Sequence, residues 1–420
     1  MVKHHEEIFR GLAAPSVSLN VVAAEFNQVP DSEREPRWAR IRAVMAERGV
    51  DCLLVNGHSG RWNENSNVRY VANYADPLSS ESYVIFPIVG DGTLITNWQP
   101  KRSAYAMSWL ADIRGMGSSR LPEILSERLT DLGLARGTLG LVGASFRQQD
   151  NLGIPWNQLE AIRLRLPELR VVDVTDVLHE LRAVKTDAEI ECLARSAALV
   201  DAGFEAHLRS ARVGIPEREL YARVVEAMDS AGAEPPTFLL LQSGPMPYET
   251  LTQDPIPSGR FLRKGDVVIS ETSPKWGGYQ AQGLQCVVLG RATDEMRELA
   301  KYASEVFHAC ADRIRPGNTP DDAVHAADPI IERARSTALA GLADSLRPVL
   351  PPAGLSGLDP YSKDPHFKPN QAFMLEIGPG GRPYRPPQHV NGGVLVVTTV
   401  GAPRCLFGAH PIEERLLTEV

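Results

Sequence analysis

The sequence predicts an α/β domain followed by an α+β domain, and three observations carry that expectation. Residues 35 to 180 alternate helical and strand patterns, a long amphipathic helix opens a second region near residue 187, and from residue 237 the pattern turns to strands with two further helices among them. At 420 residues the chain is longer than one core usually supports, which also favours two domains.

In the first region "EPRWARIRAVMAERGV" sets Trp38, Ile41, Val44 and Met45 at helical spacing, with Gly49 as a stop. The runs "DCLLVNG", "SYVIFPIVG", "GTLITNW", "GTLGLVG" and "LRVVDVT" read as short strands of a mixed or parallel sheet, with helices such as "LPEILSERLTDLG" between them. No G-x-G-x-x-G follows any of these strands, so neither a dinucleotide site nor a phosphate loop is expected. The helix "DAEIECLARSAALVDAGFEAHLRSA" takes Thr186 or Asp187 as its N-cap and carries Glu189 and Glu191 in its first turn, where the helix dipole favours them. A second helix, "PERELYARVVEAMDSAG", ends at Gly232. Strands follow in "TFLLLQSG", "DVVISETS" and "YQAQGLQCVVLG", then helices over 293–315 and 320–340, then strands in "NQAFMLEIGP", "VNGGVLVVTTVG" and "PRCLFG".

Composition narrows the function. Hydrophobic content of 43% and charged content of 23% are those of a soluble globular protein. A formal net charge of −8 argues against a nucleic-acid partner, which needs a basic footprint. No run reaches the roughly 18 apolar residues that span a bilayer. The first residues lack a signal-peptide core, so a cytoplasmic protein with no membrane partner is expected. The five cysteines are scattered without C-x-x-C spacing, which argues against a disulfide framework or zinc knuckle. Cys52 and Cys286 sit in apolar runs and read as buried, inert thiols.

"HELRAVKTDAEIECLARSAALVDAGF" resembles the junction that opens the catalytic domain of the creatinase/aminopeptidase P/prolidase superfamily, the pita-bread fold. "LQSGPMPYE", "LRKGDVVISETSPKWGGYQAQGLQCVVLG", "RPGNTPDDAVHAA", "AGLSGLDPY", "NQAFMLEIGPG" and "VNGGVLVVTTVGAPRCL" resemble further family segments in the family's order, so that the likeness covers roughly residues 36 to 415. It implies an N-terminal extension over 1–34, a creatinase-like α/β domain over 35–178 and a pita-bread catalytic-type domain over 179–420. It also implies a homodimer whose N-terminal domains help close the partner's active site.

Peptidases of this family hold two divalent metals with two Asp, one His and two Glu, and activate a bridging water. On this chain those places fall at Glu271, Gln282, Gly354, Glu376 and Asn391. Two carboxylates survive and the imidazole is gone, so no metal and no other cofactor is expected. Creatinase works without metal, through a loop histidine and a glutamate two places beyond the second Asp position. Here the loop "GPMPYETLTQDPIPSGR" has no histidine and the glutamate's place is Leu284. The resemblance therefore locates a pocket without naming a reaction.

Two carboxylates in one apolar pocket repel each other and lose hydration, so one pKa rises and the pair shares a proton near neutral pH. That supplies one general base and one general acid, or a carboxylate nucleophile. The catalytic group expected is Glu271 and Glu376, with Gln282 orienting water or substrate, Tyr279 donating to an oxyanion and His389 as the nearest imidazole. Substrate contacts are expected from Tyr248, Arg385, Asn391 and the Gly354 position, and from Arg61 and Trp62 in "GRWNENSNVRYVANYAD". Each has a plain structural counterpart: strand-end carboxylates, polar fillers of a former metal cavity, a packed hairpin tyrosine, solvated loop residues. Asp359 in "GLDPY" reads as a turn-maker. The function expected is metal-independent cleavage of an amide or amidine-like C–N bond in a small polar molecule, hydrolysis first. A lyase or cyclase of a specialised biosynthetic pathway would use the same pair, a non-catalytic pita-bread protein would use only the pocket, and a prolidase-type metallo-dipeptidase would need the altered ligands.

Overall fold

A computed structural model describes residues 26–58, 66–76, 81–98, 100, 102–116, 121–144, 153–245, 256–355, 357–359, 362–378 and 390–420. The first region folds around a six-stranded mixed sheet in the order β4-β3-β2-β1-β5-β6. Its strands are β1 (Cys52–His58), β2 (Glu81–Pro87), β3 (Thr93–Thr96), β4 (Asp112–Gly115), β5 (Thr138–Val142) and β6 (Arg170–Asp173). β1 runs antiparallel to β2 and parallel to β5, and all of it is buried. Burial on both faces is why "CLLV" reads as an unbroken apolar run. β4 is the strand the sequence pattern missed: "DIRG" is half-buried throughout and is defined by pairing with β3, not by an apolar pattern of its own. The helix Arg34–Arg48 buries Trp38, Ile41 and Met45 and stops at Gly49, whose φ of 62° is the left-handed conformation glycine adopts cheaply.

The second region opens with the helix Asp187–Ser210, capped by Thr186 in a reciprocal capping box with Glu189. Its buried face carries Ile190, Leu193, Ala197, Val200 and Phe204 at helical spacing, and each larger apolar side chain contributes roughly 1.5–3 kcal/mol of burial. β7 (Phe238–Pro245), β8 (Asp266–Ser273), β11 (Gly283–Val288) and β18 (Thr418–Glu419) form one four-stranded sheet. Between β8 and β11 the chain makes a small hairpin of β9 (Lys275–Trp276) and β10 (Tyr279–Gln280). A second sheet joins β12 (Pro348–Val349), β15 (Ala372–Ile377), β16 (Val390–Val396) and β17 (Arg404–Cys405), with β13 (Ala353–Gly354) and β14 (Gly357–Leu358) paired beside it.

Helices Asp187–Ser210 and Glu217–Ser230 back the first sheet, where Val268 and Val287 pack on Leu199, Phe204, Leu220 and Val224. Helix Asp294–Ala311 packs on Leu375, Ile377 and Leu395 of the second. The helix expected over 293–315 ends at Ala311, and the one expected over 320–340 is broken into Pro320–His325, Asp328–Arg335 and a 3-10 segment Ala340–Leu346. Pro329, in the first turn of Asp328–Arg335, has no N–H to continue the preceding turn. All five cysteines are free, with Cys52 and Cys286 buried as expected. Among the described residues no helix is long and apolar enough to cross a membrane.

Candidate active site

Strand alternation places Glu271. Its neighbours Ser270 and Thr272 face the helix Asp187–Ser210, where Ser270 Oγ lies 3.0 Å from His207 Nδ1, so Glu271 faces the opposite way. Across the ladders it is flanked by Leu240 and Leu284, and it is only 3% exposed. Gln282, one residue before β11, donates its side-chain amide to Glu271 Oε1. Glu376 comes from the other sheet. The β15–β16 register shifts between Met374 and Glu376, an irregularity of the kind that re-aims a side chain, and Glu376 then pairs backbone to backbone with Asn391.

Burial, then the nearby charge of Glu376, pushes the Glu271 carboxyl up to about 8, against the hydrogen bond from Gln282, which favours the charged form. Burial pushes Glu376 up to about 7. Near neutral pH the two carboxyls together keep about one proton, a state that belongs to the pair. The structure thus brings together Glu271, Gln282 and Glu376, and puts the backbone of Asn391 beside Glu376.

Tyr279 is elsewhere, and its expected oxyanion role is corrected. It is 1% exposed, and its hydroxyl donates to Glu189 Oε1, a carboxylate that also meets Arg37 at 3.4 Å. Burial and the Glu189 charge keep that phenol protonated, so it is spent on a bond within the second domain, to the carboxylate that Arg37 of the first domain also meets. Gly354 is corrected as a substrate contact: a Cβ there would lie 1.7 Å from Asp359 Oδ2, so the Asp359 carboxylate already fills the space. Asp359 is in turn more than a turn-maker. It is 1% exposed and bonds Arg182, with Lys185 Nζ at 3.1 Å; burial opposes its charge, but the two cations outweigh that and hold its pKa below the usual range. Arg61, Trp62, Tyr248, Arg385 and His389 lie outside the described residues.

From sequence Glu189 reads only as a first-turn acid of its helix, and Arg182, Lys185 and Arg37 carry no assignment. Three of them stand in "LRAVKTDAE", where close spacing of opposite charges ahead of a helix was the available signal. Their partners, Asp359 at 3.1 Å or less and Arg37 at 3.4 Å, are distant in sequence and visible only in the fold.

A creatinase-type α/β domain joined to an α+β domain of two four-stranded sheets, with a buried carboxylate from each sheet, defines a pita-bread protein. Comparison with known proteins agrees. Residues 37–184 match the Creatinase/Prolidase N-terminal domain and residues 191–385 match Metallopeptidase family M24. The chain belongs to the creatinase/aminopeptidase P/prolidase superfamily. The Xaa-Pro dipeptidase of Pyrococcus horikoshii is 23% identical over 40% of this chain and 47% of its own, and that of Pyrococcus furiosus is 26% identical over 35% and 41%. The matches thus span less than half the length of these relatives. The structure of an X-Pro aminopeptidase from Thermotoga maritima superposes with a TM-score of 0.70 at 18% identity, covering 91% of this chain and 99% of that one.

The family's two-metal centre does not fit the donors described here. Gln282 is a neutral amide already committed to Glu271, and Gly354 offers no side chain where Asp359 has taken the space. Among the described residues no group of three or more His, Cys, Asp or Glu is placed to hold a metal ion.

Proposed function

We propose that the protein is a hydrolase of a C–N bond in a small polar molecule, working through the Glu271–Glu376 pair rather than a metal centre. The observation that carries this reading is the meeting of two buried carboxyls from separate sheets, one of them held by the Gln282 amide. Glu376, the first to ionise, is the base: it takes a proton from water as the water oxygen bonds to the amide or amidine carbon. Glu271, the second to ionise, is the acid: it gives its proton to the departing nitrogen as the C–N bond breaks. Gln282 orients Glu271, and its Oε1 remains an acceptor for a substrate N–H or the attacking water.

Amine or ammonia release from a panel of small amides, amidines and dipeptides tests this, comparing the wild type with Glu271→Gln and Glu376→Gln in the presence of EDTA. Turnover in the wild type and a loss of about 100-fold or more in each variant is expected. Full activity in Glu271→Gln would sink the reading. The names of the relatives favour a second reading, a metallo-dipeptidase, whose mark is Xaa-Pro cleavage that appears only with added manganese, cobalt or zinc.

A further inference from the structure

The hairpin that delivers Gln282 to Glu271 is gripped from outside its own domain. Arg69, on the N-terminal-domain helix Asn67–Ala72, is 2% exposed and lies against the hairpin turn, where a Cβ on Gly278 would come within 2.6 Å of its Cδ and Nε. Gly277 and Gly278 have φ of 61° and 82°, and a Cβ on Gly277 would sit 3.0 Å from Cys192 Sγ. Only a bare backbone fits under Arg69. The guanidinium makes two bonds to Glu234, Nη1 to Oε2 at 2.7 Å and Nη2 to Oε1 at 3.0 Å, and Glu234 Oε1 accepts the Gly278 N–H at 3.2 Å. Arg69 Nη2 also donates to the Asn27 carbonyl at 3.0 Å.

The legs of the hairpin are tied as firmly. Ser196 Oγ donates to the Pro274 carbonyl at 2.8 Å and accepts the Ala281 N–H at 2.7 Å, one residue before Gln282. Gln280 Nε2 donates to the Ser273 carbonyl at 2.6 Å. With Tyr279 bonded to Glu189, which contacts Arg37 of the N-terminal domain, the segment from Pro274 to Ala281 is fixed on every side before the chain reaches Gln282.

We infer that Arg69 is a positioning residue for the active site: through Glu234 and the Gly277–Gly278 turn, the N-terminal domain sets the Gln282 amide against Glu271. The inference rests on the proposed carboxyl-pair site and adds that this site is assembled by both domains of one chain. A bidentate guanidinium is the group suited to the task, since its rigid fork fixes an angle as well as a distance.

The test is NMR of the Gln282 side-chain amide in full-length protein, assigned by its disappearance in Gln282→Leu, with exchange against solvent as the readout. In the wild type the Nε2 protons are expected to exchange slowly. In Arg69→Ala exchange is expected to speed up tenfold or more, and the Glu271 carboxyl to titrate about half a pH unit higher, because it loses a donor that favours its charged form. Arg69→Lys, which keeps the charge without the fork, is expected to fall between. Glu234→Gln retains Arg69 and covers the case in which Arg69→Ala does not fold. Wild-type exchange rates in folded Arg69→Ala and in Glu234→Gln would overturn the inference and leave the carboxyl pair standing. A fast-exchanging Gln282 amide in the wild type would instead remove the Gln282–Glu271 contact, and both readings with it.

Discussion

Replacing Glu271 by Gln should stabilise the protein while it destroys the activity, and the gain should depend on pH. In the unfolded chain a glutamate titrates near its ordinary 4.5, whereas in the native state burial and Glu376 hold Glu271 protonated up to about 8. Between these values the native state binds the extra proton, so native stability falls as pH rises through this window and levels off above it. From pH 4.5 to 7 the loss, at 1.36 kcal/mol per pH unit, amounts to about 3 kcal/mol. Glu376 adds a loss of the same sign up to about pH 7. A glutamine never ionises and can still accept the Gln282 hydrogen bond through its carbonyl oxygen, so Glu271→Gln removes the Glu271 part of the loss. For a domain of this size about 3 kcal/mol corresponds to roughly 6–12 °C in the melting temperature of the catalytic-type region. The assay is calorimetric melting of both proteins at pH 5, 6, 7 and 8. The melting curves should nearly coincide at pH 5 and separate progressively towards pH 8, with the variant higher. A constant offset across the pH range, or a variant that melts lower at pH 8, would refute the reasoning, because either result means Glu271 ionises in the folded protein as it does in the unfolded one.

Asp359→Asn leaves the buried Arg182 and Lys185 cations without their counter-charge, and a loss of about 3–5 kcal/mol is expected in thermal melts; a change near zero would show the cluster to be dispensable. Elemental analysis of purified protein is expected to find less than one equivalent of manganese, cobalt or zinc per chain, with two tightly held equivalents as the contrary result. Light scattering after gel filtration is expected to return twice the mass of the chain, the homodimer that the family resemblance implies. A mass equal to one chain would remove the partner subunit from any account of the site.

Much of the fold was legible because its signals are local. The helix Asp187–Ser210 has its cap at Thr186, its acidic first turn and its apolar stripe written consecutively in the sequence. Strands β1, β2 and β8 are buried along nearly their whole length and therefore read as apolar or hydrogen-bonding runs. β4 was not legible, because a half-buried four-residue strand owes its existence to its neighbour β3. The break after His325 was written in Pro329 but needed the packing of the following helix to place it.

At the site, sequence order and residue type by themselves determined which positions stand where the family keeps its ligands, and that only Glu271 and Glu376 among them are carboxylates. The tertiary structure decided what those residues meet. Glu271 receives the Gln282 amide because the hairpin returns the chain alongside β8, and Glu376, on the other sheet, lies near enough for its charge to raise the Glu271 carboxyl. Tyr279, three residues from Gln282, points instead to Glu189, and the space beside Gly354 belongs to Asp359. Sequence records composition and local periodicity, which are short-range quantities. Proton sharing, filled space and ion pairing depend on distances between segments far apart in the chain, and those distances exist only once it has folded.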